Sequence, residues 1–112
     1  MTPETAPEPL IRVAALADLS RRPTPPVLDG RLRANYPADL ERRGVEGEAM
    51  VRLTLSKSGR VEHAQTISQT DPGFAEACRK TLLDTVWSPP LDRDGEPVRT
   101  TLSYRCRFRV AL

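Results

Sequence analysis

No apolar run in this 112-residue chain approaches the roughly 18 to 20 residues needed to cross a bilayer; the longest is Val13 to Ala17. No secretory leader is expected within the sequence either, since Arg12 interrupts the early apolar stretch and no basic segment precedes it. The chain is therefore expected either in the cytosol or as a piece whose export or anchor segment lies upstream. Cysteine is scarce, and Cys78 and Cys106 fit neither a CxxC nor a zinc spacing, so no metal site is expected. His63, the only histidine, has no Ser, Cys or carboxylate at a meaningful spacing, which leaves no triad to argue. Asp92 and Asp94 belong to a turn with too few oxygen ligands for calcium. Charge of one sign is also lacking: 17 Lys and Arg stand against 15 Asp and Glu, for a net +2. That is far from the basic excess of a nucleic-acid binder. A chain this short has little surface for a deep cleft, so no catalytic residue and no cofactor are expected.

What is present is a patterned core after a Pro-rich start. Residues 1–35 read as a Pro-rich linker and extended segment, and 36–112 as the domain. Within the first part, Leu10, Val13, Ala14, Leu16 and Ala17 suggest a short amphipathic helix over Leu10 to Leu19, which Pro23, Pro25 and Pro26 prevent from continuing. Arg21 to Tyr36 is expected to be extended. Tyr36-Pro37 opens a two-turn helix, with Pro37 in its first turn and Gly44 as its C-terminal cap. From Gly47 the period becomes two: Ala49, Val51, Leu53 and Leu55 share one face. Lys57-Ser58-Gly59-Arg60 turns the chain into a second strand, Val61 to Ser68, whose irregular pattern predicts a bulge near His63.

Asp71-Pro72 marks a helix entrance, with Asp71 as N-cap. Phe74, Cys78, Leu82 and Val86, joined by Ala75, Leu83 and Trp87, give this helix an apolar side, and Ser88-Pro89-Pro90 is expected to stop it. Trp87 is assigned to the core. After the turn at Asp92-Arg93-Asp94-Gly95, Thr100 to Val110 alternates cleanly as a third strand. The expected fold is α+β, in the order α-β-β-α-β: a three-stranded antiparallel-type sheet in strand order 2-1-3, with helices on one face.

Tyr36-Pro37, Arg43-Gly44-Val45-Glu46-Gly47, an alternating strand, Gly59-Arg60-Val61, a helix ending in Trp87-Ser88-Pro89-Pro90, and Gly95-Glu96-Pro97-Val98 before a last strand with Phe108 together resemble the TonB C-terminal domain family. The likeness covers Tyr36 to Val110. It departs at Ser58, where the family often has Asp, and at the two cysteines, where small or aliphatic residues are usual. The resemblance implies a non-catalytic domain in the periplasm of a Gram-negative envelope. It would be anchored in the inner membrane by an upstream helix absent from this chain and coupled there to an ExbB–ExbD-like motor. It further implies recruitment of the TonB-box peptide of an outer-membrane transporter as an added strand. A structural role in another envelope machine, TolA-like or serving motility, is the alternative.

Strand addition also follows from the residues, because an edge strand offers unpaired N–H and C=O groups. Thr100, Thr101, Leu102, Ser103, Tyr104, Arg105, Arg107 and Arg109 form the candidate edge. Asn35, Tyr36 and Pro37 join them because Arg31 to Pro37 aligns with the family region that touches the peptide. The competing expectation is an edge covered by the chain's own N-terminal segment or by a second copy in a homodimer. Arg105, Arg107 and Arg109, with Arg52 one strand away, either meet an anionic partner or form a solvated face balanced by Glu48 and Glu62; with no interleaved aromatics, nucleic acid is not a partner. Tyr36 either meets the partner or closes the core. Cys78 and Cys106 lie on the buried sides of their elements, either as a disulfide or as two small apolar thiols. Alkylation before and after reduction separates the two: a disulfide leaves no thiol to alkylate in natively purified protein and two after reduction.

Overall fold

The computed structural model of the chain describes residues 13–110. The expected linker over residues 1–9 and the start of the expected first helix lie outside them. At the centre is β2, Gly47–Leu55, in which Ala49, Val51, Leu53 and Leu55 are all buried. On one side β2 pairs antiparallel with β3, Val61–Gln69; on the other it pairs antiparallel with β4, Arg99–Phe108. The β2–β4 register runs from Gly47 against Phe108 to Leu55 against Thr100 without a slip. The β2–β3 register slips twice, passing over Glu62 and Ile67. The first slip is the bulge expected beside His63; the second was not foreseen.

The sheet itself corrects the expectation of three antiparallel strands. A two-residue strand β1, Val13–Ala14, pairs parallel with Arg99 and Thr100 at the start of β4, giving a four-stranded mixed sheet in the order β1-β4-β2-β3. Two residues are too few to show a period. What holds them is tertiary: the Thr100 hydroxyl donates to the Ala14 carbonyl at 2.7 Å, and Ala14 packs with Leu19 and Val98 in a small second core.

The first 35 residues are likewise more structured than a linker. The expected helix up to Leu19 is instead β1 and a short 3-10 turn, Leu16–Asp18. The expected extended stretch contains α1, Asp29–Ala34, ending just before Tyr36. Leu28, Leu32, Tyr36 and Leu40 recur every four residues, and all are buried in the main core. This helical stripe is interrupted by Pro37, which caps α2, Ala38–Arg42. The end of α2 closes with bonds from the Gly44 and Val45 amides to the Glu41 and Leu40 carbonyls, a Schellman arrangement.

Helix α3, Pro72–Leu83, starts as expected, with the Asp71 carboxylate accepting the Gly73 amide at 2.8 Å. It ends earlier than expected. The Thr85 amide and hydroxyl both donate to the Leu82 carbonyl, at 3.1 and 2.6 Å, and Val86 then bridges to Arg60. Leu83 and Val86, assigned to the apolar side, are 46% and 52% exposed. Trp87 is buried beyond the helix, its ring edge-on to Tyr104 with centroids 5.7 Å apart. Between α3 and the sheet, Phe74 and Phe108 stack at 4.9 Å, and Tyr36 meets both edge-on. Cys78 of α3 and Cys106 of β4, 28 residues apart, are joined by a disulfide. Closing a loop of that length contributes about 3–4 kcal/mol by restricting the unfolded chain.

Gly59 locks the β2–β3 turn to the segment after α3. Its φ is +86°, its carbonyl accepts the Trp87 amide at 2.8 Å, and an added Cβ would overlap the Trp87 carbonyl group. Gly95, at φ +79°, has open space around it. Gly95→Ala should therefore cost about 1 kcal/mol of backbone strain, whereas Gly59→Ala adds a backbone clash and should cost about 2–4 kcal/mol. Urea unfolding of both variants checks the order.

Candidate docking edge

Beyond Thr100 the chain of β1 no longer follows β4, because Ala15 leads into the 3-10 turn and away from the sheet. Among the described residues, Thr101 to Phe108 therefore pair only with β2, and alternate residues direct N–H and C=O groups away from it. The open side faces a groove between α1 and the end of β4. Asp29, Leu32, Arg33, Tyr36, Arg107, Phe108 and Arg109 line about 250 Å³ of it, and a neighbouring cavity carries it on past Tyr104 and Arg105. Leu32, Tyr36 and Phe108 make an apolar floor, while Arg33, Arg105, Arg107 and Arg109 outnumber Asp29 at its rim.

The expected site residues divide. Thr100 is not available to a partner: it is fully buried, and both its backbone and hydroxyl are engaged by β1. Among the described residues, the N-terminal segment thus covers the start of the edge and leaves the remainder open. Thr101, Leu102, Ser103, Tyr104, Arg105 and Arg107 lie on the open stretch, with Arg109 just past it. Asn35 is tied inward, its amide donating to the Thr81 hydroxyl at 2.8 Å and so joining the end of α1 to α3. Tyr36 closes the core: its hydroxyl donates to the Val45 carbonyl at 2.6 Å, and burial, with Glu46 and Glu41 nearby, raises its pKa. Pro37 caps α2. Burial also raises the Tyr104 pKa, and the Asp29 charge across the groove adds to this. Asp29, Leu32 and Arg33 were not among the expected residues; the four-residue apolar spacing from Leu28 to Leu40 was the signal for the helix that carries them.

On the solvent face, Glu48 stands 3.8 Å from both Arg105 and Arg107, which moderates the arginine stripe. Exposed pairs of this kind contribute about 0–1 kcal/mol. Arg52 lies one strand away, directly opposite Ser103 and diagonal to Arg105. Glu62 is held by Arg99 through two hydrogen bonds, at 2.6 and 2.9 Å. His63 is exposed on β3, and the Asp92 carboxylate accepts the Asp94 and Glu96 amides of its own turn. Among the described residues no group of His, Cys, Asp and Glu could hold a metal ion.

Residues 33–110, which include the edge strand, match the family model described as Gram-negative bacterial TonB protein C-terminal. The chain belongs to the TonB C-terminal domain family. Its fold is similar to that in the solution NMR structure of the Pseudomonas aeruginosa TonB CTD, with a TM-score of 0.65 over 90% of this chain and 97% of that one, at 22% identity. A comparison with curated proteins finds no match. As a TonB-like domain the chain is periplasmic and non-catalytic.

The Arg99–Glu62 pair bridges β4 and β3 across the end of β2, and the hydrogen bond from Arg99 holds the Glu62 carboxyl below its usual range. Its contribution is complete above the ordinary carboxylate pKa of about 4.3 and is lost as pH falls through the lowered folded value. Glu62→Gln should cost about 0.5–1 kcal/mol at neutral pH, and the gap to the wild type should close in acid. Urea unfolding at a series of pH values measures it.

Proposed function

We propose that this domain docks a partner peptide as a strand added to β4 from Thr101 to Arg109, and that it passes force from an inner-membrane motor to an outer-membrane transporter. The observation that carries the reading is the contrast between the two margins of the sheet. β4 keeps one register along its whole pairing with β2, so the groups on its open side repeat evenly. β3, at the other margin, is broken by two bulges, which disrupt the ladder that an incoming strand would follow. The groove beside β4 gives alternate side chains of the visitor an apolar floor, and the arginine rim favours acidic residues near it.

In this proposal a membrane helix upstream anchors the domain and couples it to an ExbB–ExbD-like motor, and the partner segment is the TonB-box peptide of a transporter, as in the family. Main-chain pairing suits a load-bearing contact because it is spread over many bonds and tolerates variation in the partner's side chains. A second copy of the chain, paired through the same edge, is the competing occupant.

Titration of the isotope-labelled chain with a TonB-box peptide should shift amides from Thr101 to Arg109 and around Asp29, Leu32 and Arg33, with little change in β3. Shifts concentrated from Glu62 to Gln69 would move the docking site to the other margin. Concentration-dependent shifts in β4 without peptide would indicate self-association instead.

A further inference from the structure

Phe74 and Cys78 are one helical turn apart on the buried face of α3, and Phe108 and Cys106 are two residues apart on the inner face of β4. Four residues of helix advance about 6 Å and two of strand about 6.8 Å, so the two contacts make successive rungs between elements running in opposite directions. One rung is the ring stack at 4.9 Å and the other is covalent. Two small residues of β2 leave room for them: Gly47 lies opposite Phe108, and Ala49 opposite Cys106. An added Cβ at Gly47 would overlap the Phe74 ring.

This seam holds the half of β4 that is otherwise paired on one side only. Among the described residues this half of β4 has one strand neighbour, with the Val110 amide just past it donating to the Glu46 carboxylate at 2.8 Å, and such a margin is among the parts of a domain that open most readily. The cross-link at Cys106, two residues before the end of β4, ties that end to the helix in the core. Both cysteines are 0% exposed, so a thiol-reactive protein cannot reach them once α3 has closed over the sheet.

We propose that oxidation of Cys78 and Cys106 completes the docking edge, and that the folding chain is a substrate of a thiol-oxidising protein carrying a reactive disulfide. The thiolate of one cysteine attacks the donor disulfide, whose S–S bond breaks; a mixed disulfide forms and one donor sulfur leaves as a thiolate. The second cysteine gives up its proton and attacks the sulfur of the first, and the other donor sulfur leaves. Two cysteine thiols are oxidised by two electrons, and one donor disulfide is reduced to two thiols. In the dithiol form the ring stack remains but the covalent rung is gone, and the end of β4 leaves the sheet more often.

The meaning of this proposal for docking rests on the function proposed above; its first test does not. Amide hydrogen exchange is compared in the full chain as purified, after phosphine reduction, and in a Cys78→Ala/Cys106→Ala variant. Exchange from Thr101 to Phe108 should rise at least tenfold in the two uncross-linked forms, and by more than in β3. Unfolding of both forms supports the same proposal, since the edge then exists only after oxidation. Unchanged rates in β4, or a rise no greater than in β3, would overturn it, as would two free thiols in protein purified from an oxidising periplasm. In a second test, a thioredoxin-fold oxidase in its disulfide form should be consumed one per chain, at least tenfold faster by unfolded than by folded reduced chain; equal rates would overturn the substrate assignment. In a third test, a TonB-box peptide that binds the oxidised form but not the dithiol form supports the proposal, and equal binding to both overturns the link to docking. Binding to neither defeats the docking proposal and leaves the exchange result to decide the seam.

Discussion

Nine consecutive residue pairs, from Gly47 against Phe108 to Leu55 against Thr100, join β2 to β4, and the placement of the other elements depends on this ladder. Its register turns Ala49, Val51, Leu53 and Leu55 of β2 to the same side as Cys106 and Phe108 of β4, which makes the floor on which α3 lies. A slip by one residue would leave one set facing α3 and send the other to solvent. The same register brings Gly47 and Ala49 opposite the largest fully buried residue of β4, Phe108, and the cross-linked Cys106, where bulkier side chains would hold α3 away. Because the ladder is unbroken, the far side of β4 is also regular, and that regularity makes it suited to a visiting strand.

The domain uses its two margins differently. β3 carries bulges at Glu62 and Ile67, which spoil its outer ladder, and it is fastened to the rest by the Glu62–Arg99 pair and by Arg79, whose guanidinium donates to the Ala64 carbonyl at 3.0 Å. β4 has no bulge against β2. Its start is covered by β1 and its end is left beside a groove with an apolar floor and a cationic rim. A bulged margin on one side and a regular one on the other is the arrangement that the proposed docking at β4 calls for. Burial of Tyr36 serves the same end indirectly, since its contacts with Phe74 and Phe108 set the depth of the groove floor.

Several of these features were legible in the residues. The alternation of β2 and β4, the bulge beside His63 and the Asp71-Pro72 entrance to α3 rest on local chemistry, and their residue types announce them. Others were hidden for identifiable reasons. The prolines at 23, 25 and 26 and the arginines around them masked α1, although Leu28, Leu32, Tyr36 and Leu40 already had helical spacing. Val86 continued the spacing of α3 but lies outside it, because the Thr85 hydroxyl and amide turn back on Leu82 and the next residue pairs with Arg60. Of the expected site, the stretch from Thr101 onward was recognisable as a strand, and only the placement of its neighbours determines that, among the described residues, it pairs on one side.

What the amino-acid order determined by itself is the set of elements whose stability is local: alternating strands, a capped helix, and turns where Gly59 and Gly95 take positive φ. It also determined that both cysteines face inward, since inner positions follow from the period of each element. What only the tertiary structure decided is which backbone groups remain unpaired. Among the described residues β1 is two residues long, too short for a pattern of its own, and it is held because Arg99, Thr100 and Val98 are there to receive it. The length of edge left for a partner is the remainder of β4 after that pairing, a quantity set by contacts between distant parts of the chain.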